Sequence, residues 1–122
     1  KFLANRNNII IMDLNHNLKE SIQKMGEVLK SNKKIIIFPE GTRSFNGNLG
    51  DFKKTFAILS RELNVPIVPV SIKGAFDVLP RGSFFPRPWK KVSVEFLDPI
   101  YPGQHTYETL SQLVKSKIQL TM

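Results

Sequence analysis

The residues best equipped for chemistry stand together in Phe38-Pro-Glu-Gly-Thr-Arg-Ser44. Arg43 supplies a planar, permanently charged fork that matches the oxygens of a phosphate. Thr42 and Ser44 add hydroxyl donors, and Gly41 lets the backbone approach a ligand closely. Glu40 places a carboxylate in the same turn. The same residues also suit an ordinary type I turn, with Pro early, Gly last and a surface ion pair between Glu40 and Arg43. Elsewhere chemistry is scarce. There is no cysteine, which excludes a disulfide scaffold, a thiolate zinc site and a cysteine nucleophile. The two histidines, His16 and His105, are too few for a histidine-based metal site.

The elements around that stretch follow from hydrophobic spacing. Residues 9–13 read as a short buried strand. Asn17 and Glu20 have the spacing of a capping box. Leu18, Ile22, Met25 and Leu29 then recur at helical spacing, which predicts an amphipathic helix over 17–30, broken by Ser31 and Asn32. Residues 34–38 are predicted to be a central parallel strand, apolar on both faces. Pro39 stops it. Residues 39–51 contain three glycines and two asparagines and read as a loop of functional length. A second helix is predicted from Asp51 or Phe52, with Phe56, Leu59 and Leu63 on one face. Residues 66–72 form a third strand, with Pro66 and Pro69 confined to its entry or an edge. Strand, helix, strand, helix, strand with short connections predicts an α/β fold with a mostly parallel sheet. Ligands of such sheets bind beyond the carboxyl ends of the strands, where residues 39–51 lie. Val92, Val94 and Phe96 alternate with polar residues, as in a half-buried strand. A closing helix is predicted over 106–120, with Leu110, Leu113, Val114 and Ile118 inward.

The chain has 122 residues, 41% of them hydrophobic, enough for one packed core and too many for a disordered tail. Its 18 Lys and Arg against 10 Asp and Glu give a net charge of +8. That excess suits phosphate, nucleic acid or a membrane surface, and equally a solvated basic exterior. The longest apolar runs are four residues, so no segment spans a bilayer, and residues 1–8 contain no signal-peptide core. Residues 73–91 concentrate Lys73, Arg81, Arg87, Lys90 and Lys91 against Asp77 alone, interleaved with Phe84, Phe85 and Trp89. This loop suits either docking at lipid headgroup depth or packing of its aromatics on the core.

Phe38-Pro-Glu-Gly-Thr-Arg-Ser44 resembles the third signature block of the PlsC-like lysophospholipid and glycerophosphate acyltransferases. Asn46-Gly47 and Phe52-Lys53 look like the loop and helix start that follow it, residues 65–72 like the fourth block, and residues 9–14 like the second. The resemblance covers about residues 9–100, in the family's order. It implies transfer of a fatty acyl group from a thioester, on CoA or acyl carrier protein, to the hydroxyl of a lysophospholipid such as 1-acylglycerol-3-phosphate. It assigns the acceptor phosphate to Glu40, Gly41, Thr42 and Arg43. It implies no metal or other cofactor, no nucleic-acid partner, and a location at the cytoplasmic face of a membrane. The family's catalytic His-x-x-x-x-Asp block is absent. Ser21 stands five residues after His16, which also falls on the wrong side of the second block and reads as part of a turn. His105 has no Asp at that spacing either. Asp13-Leu14 stands where the family often has Asp-Arg, and Thr55 where it often has Gly. These departures, and a first residue other than Met, lead to the expectation that residues 1–122 are one partial acyltransferase domain, its C-terminal portion, inactive alone. The other reading is a non-catalytic anion- or membrane-binding module of a larger acyl-activating protein. A nucleic-acid-binding domain is a third, permitted by the charge but lacking any recognition motif.

Overall fold

The predicted amphipathic spacing forms helix α1, Leu18–Lys30, in a computed structural model that describes residues 18–122. Met25 is buried, Ile22 and Leu29 are half-buried, and Leu18 is exposed. Glu20 and Lys24, one turn apart, pair at 2.6 Å. Hydrogen bonding and charge from Lys24 hold the Glu20 carboxyl below its ordinary value. The helix stops where the sequence breaks it. The Ser31 hydroxyl donates to Val28 O, Asn32 takes a left-handed φ of 60°, and Lys33 N–H donates to Val28 O.

The chain divides into two compact units, residues 1–37 and 38–122. The predicted strand at 34–38 straddles the division and is in no ladder among the described residues. It keeps a strand-like alternation: Ile35 and Ile37 are half-buried, whereas Ile36 is 86% and Phe38 71% exposed. The companion strand at 9–13 lies outside the described residues, as do Asp13, Leu14, His16 and the Asn17 cap.

In the second unit, helix α2 is Thr55–Leu63, several residues later than its predicted start. Lys53 N–H is already committed to Pro39 O at 2.8 Å, so residues 51–54 close the loop rather than open the helix. Phe56 and Leu59 are buried, Leu63 is half-buried, and the Phe52 ring meets Phe56 edge-on. Asn64 ends the helix with a left-handed φ of 51°. The Ser60 hydroxyl then secures the exit by donating to Val65 O.

Strand β1, Val70–Lys73, pairs with β2, Ser93–Phe96, in register Val70 with Phe96 and Ile72 with Val94. The ladder is antiparallel; the parallel arrangement was predicted for the strands at 9–13, 34–38 and 66–72, and no direction was predicted for β2. An antiparallel bridge between Ile67 and Ile100 continues it. Pro69 splits the predicted 66–72 strand because it has no N–H, but its carbonyl accepts from Leu97 at 2.9 Å. Val94 and Phe96 are exposed, so the alternation of β2 marks its pleat but not the predicted half-burial.

The connection from β1 to β2 begins with Gly74, whose φ of 81° is left-handed, and the short helix α3, Ala75–Val78. A Cβ on Gly74 would lie 2.1 Å from Lys91 O, so only glycine fits where the connection leaves and re-enters the sheet. Helix α4, Tyr107–Thr121, is capped by Thr106, whose hydroxyl accepts from Thr109 N–H. Leu110, Val114 and Ile118 are buried as predicted, and Leu113 is half-buried. This face packs on α2 and β1, and with Phe56, Ala57, Leu59 and Ile100 it makes the core. Lys54 pairs with Glu108, and the Tyr107 hydroxyl donates to Glu62, fixing α4 against α2 at the rim.

Candidate functional site

The 38–53 loop is built from three ties. Gly41 N–H donates to Phe38 O at 3.1 Å, closing the turn that Pro39 and Gly41 predict, and Gly41 takes the left-handed φ of 68°. The Glu40 carboxylate reaches across the loop and accepts Gly50 N–H at 2.7 Å. Lys53 N–H returns to Pro39 O. Asn46 adds a local tie by accepting Asn48 N–H through its side chain. The predicted surface pair between Glu40 and Arg43 does not form, because the carboxylate is spent on the backbone of Gly50.

These ties shape a cavity of about 350 Å³. Glu40, Thr42 and Arg43 line it with Ser44, Asn46 and Asn48, and Phe45 and Leu49 make the rest of the wall apolar. Gly41 is the fourth residue of the expected set and forms the turn beneath them. Arg43 has no salt-bridge partner among the described residues, so its guanidinium is available to an anion. Asp51, also on the wall, is offset by Lys115 at 3.4 Å. The sequence reading missed Lys53, which does not line the cavity but stands against the Gly41 turn. A Cβ on Gly41 would meet Lys53 Cε at 3.1 Å and Nζ at 3.2 Å, so the ammonium lies directly over the turn. Its signal was the position itself, at the end of a loop that its own N–H closes on the Pro39 carbonyl. Arg43 and several hydroxyl and amide groups on the wall, with Lys53 at the adjoining Gly41 turn, make an arrangement suited to a phosphate monoester.

Phe45 was missed as well. Its ring lies under the Arg81 guanidinium, 3.8 Å from the ring centre, and joins the cavity wall to the β1–β2 connection. The Phe76 ring lies over Gly47, 3.3 Å from where a Cβ would stand, and makes a second contact between the 38–53 loop and the connection. Phe84, Phe85 and Trp89 do not line the cavity. They are exposed in the connection itself. His105 is exposed in the turn before α4, its backbone N–H donating to Pro102 O, and takes no part in the cavity. Among the described residues, no group of His, Cys, Asp and Glu is arranged to hold a metal ion, and no helix is long and apolar enough to cross a membrane.

The chain is similar to known proteins throughout this region. A family model described as Acyltransferase matches residues 1–73. A 1-acyl-sn-glycerol-3-phosphate acyltransferase of Limnanthes alba is 36% identical over 99 residues, covering 78% of this chain and 35% of the relative. The enzyme of that name from Saccharomyces cerevisiae is 31% identical over 105 residues, with the same coverage of both. The crystal structure of the 1-acyl-sn-glycerophosphate acyltransferase PlsC from Thermotoga maritima superposes with a TM-score of 0.73 at 31% identity. The match covers 84% of this chain and 44% of that one. The chain therefore spans about a third of the length of these curated relatives. Its α/β architecture is that of part of the PlsC fold. On the family match over most of its length and the likeness to PlsC, the chain belongs to the PlsC-like acyltransferase family.

Proposed function

We propose that the protein carrying this chain transfers a fatty acyl group from an acyl thioester to the hydroxyl of a lysophospholipid, 1-acylglycerol-3-phosphate in the first place. The 38–53 loop binds the acceptor's phosphate. In the reaction the acceptor oxygen attacks the thioester carbonyl and the carbon–sulfur bond breaks. The hydroxyl proton passes to a base, and the thiol of CoA or acyl carrier protein departs. No histidine lines the cavity, so the part played by these residues is binding and orientation. Arg43 and Lys53 hold the phosphate, Thr42 and Ser44 complete its hydrogen bonds, and Glu40 keeps the loop in shape. Anchoring the phosphate fixes the hydroxyl relative to the donor, which lowers the entropic cost of the transfer. Such an acceptor suits a protein working at a membrane surface, and the cytoplasmic face is the one we propose.

The observation that carries this reading is the availability of Arg43 on the wall of a recess within an acyltransferase family fold. The test is steady-state kinetics of the full-length protein with lysophosphatidate. Arg43→Ala should raise the KM for the acceptor roughly tenfold to a hundredfold, as expected for loss of a charge-assisted hydrogen-bonding partner. An unchanged acceptor KM would overturn the phosphate assignment. The absence of a histidine from the cavity also suits the non-catalytic binding module, which would bind lysophosphatidate in an Arg43-dependent way without acyl transfer.

A further inference from the structure

Phe84 is 93% exposed, Phe85 83% and Trp89 89%, the three most exposed aromatic side chains among the described residues. They are presented by an ordered backbone. Arg87 N–H donates to Val78 O at 2.8 Å, Ser83 N–H to Pro80 O at 3.1 Å, and the Ser83 hydroxyl to Phe85 O at 3.0 Å. Lys90 N–H donates to Arg87 O. The rings therefore project from a tied loop rather than a slack one. Around them stand Arg81, Arg87, Lys90 and Lys91, with Asp77 the only acid from residue 73 to 91. The loop is seated on the cavity wall through Arg81 over Phe45 and Phe76 over Gly47.

We infer that residues 81–91 dock the protein on an anionic lipid bilayer, with Phe84, Phe85 and Trp89 entering the interface and the basic side chains meeting the headgroups. Aromatic rings partition to headgroup depth, and clustered lysine and arginine are drawn to a negative leaflet. Binding at such an interface scales with buried apolar area plus attraction to anionic lipid, and the loop offers both. An acidic protein would satisfy the cations but leave the aromatic rings in water unless it offered a matching apolar cleft. A bilayer interface accepts both at once. Because the loop rests on Phe45, docking also brings the cavity to the surface where a lysophospholipid resides. That last step rests on the proposed acceptor.

The test uses the full-length protein and vesicles of phosphatidylcholine with or without phosphatidylglycerol. Binding should require phosphatidylglycerol, weaken with salt, and fall about tenfold or more when Phe84→Ser and Trp89→Ser are combined. Lys90→Glu with Lys91→Glu should cost about fivefold for each cation lost. A polarity-sensitive fluorophore on Phe85→Cys, in a stretch of chain with no other cysteine, should shift to the blue on anionic vesicles. A shift with acidic carrier protein and none with vesicles would overturn the lipid assignment in favour of a protein partner. Vesicle binding equal in variants and wild type would overturn the docking role. Turnover of a short-chain, monomeric lysophosphatidate checks that the variants fold, and it should be unchanged while the KM for the vesicle-borne acceptor rises. If the wild type acylates neither acceptor yet the variants lose vesicle binding, the proposed reaction fails and docking stands.

Discussion

The Glu40 carboxylate and Gly50 N–H are joined at 2.7 Å across ten residues of the candidate phosphate loop. A hydrogen bond to a charged acceptor contributes about 1.5–3 kcal/mol, less where water competes as it does here. Glu40 thus acts on the ligand through the shape of the loop. Glu40→Gln keeps a carbonyl oxygen in place and should retain most acceptor affinity. Glu40→Ala should raise the acceptor KM by about tenfold, at the same bound on the hydrogen bond. Kinetics of the two variants side by side check this, and equal losses would mean that the negative charge itself matters.

Lys53 and Gly41 form a steric pair, since any Cβ at position 41 presses on the Lys53 side chain and must also take a φ of 68°. Gly41→Ala should therefore weaken phosphate binding much as Lys53→Met does, and the double variant should lose little more than either alone. A double-mutant cycle on acceptor KM measures this, and strict additivity would show that the two act separately.

Gly74 faces a backbone atom rather than a flexible side chain, with Lys91 O 2.1 Å from the position a Cβ would occupy. The clash and the left-handed φ act together. Gly74→Ala should cost about 2–4 kcal/mol in unfolding free energy, in the range of strained backbone substitutions with large effects. Urea denaturation of the full-length protein, followed by the unfolding of this region, checks the value.

Tyr107 donates its hydroxyl to Glu62, and that bond, with burial and the Glu62 charge, raises the phenol above its ordinary value of 10.0. A raised value in the folded state favours the protonated phenol. The contribution is present in full below the phenol's unfolded value and fades as pH rises through the folded one. Thermal melting should therefore become more alkali-sensitive in wild type than in Tyr107→Phe. Identical alkaline profiles would show that the bond does not contribute to stability.

The sequence is most legible where one residue type has one job. Met25 in α1 and Leu110, Val114 and Ile118 in α4 announce their buried faces through spacing alone. Gly41 closes the turn that Pro39 and the following residues predict. What failed depended on partners distant in the chain. The direction of pairing between residues 70–73 and 93–96, on which hydrophobic spacing is silent, follows from the path of the intervening connection. The start of α2 was misplaced because the Pro39 carbonyl, fourteen residues before Lys53, captures its N–H. Lys53 and Phe45 entered the site through the same folding-back of the loop, which no local pattern encodes. The exposure of Val94 and Phe96 shows the limit of alternation, which reveals a pleat but not what covers it.

The meeting of Gly74 with the Lys91 carbonyl has a consequence for how the region can vary. The two ends of the β1–β2 connection are brought together at the sheet, where Lys73 is in register with Ser93. Everything between them hangs from a closed neck. Lengthening such a loop costs little, since closure entropy grows only with the logarithm of its length. Lineages can therefore exchange, trim or extend this cassette and retune its surface without shifting the strand register that supports the core.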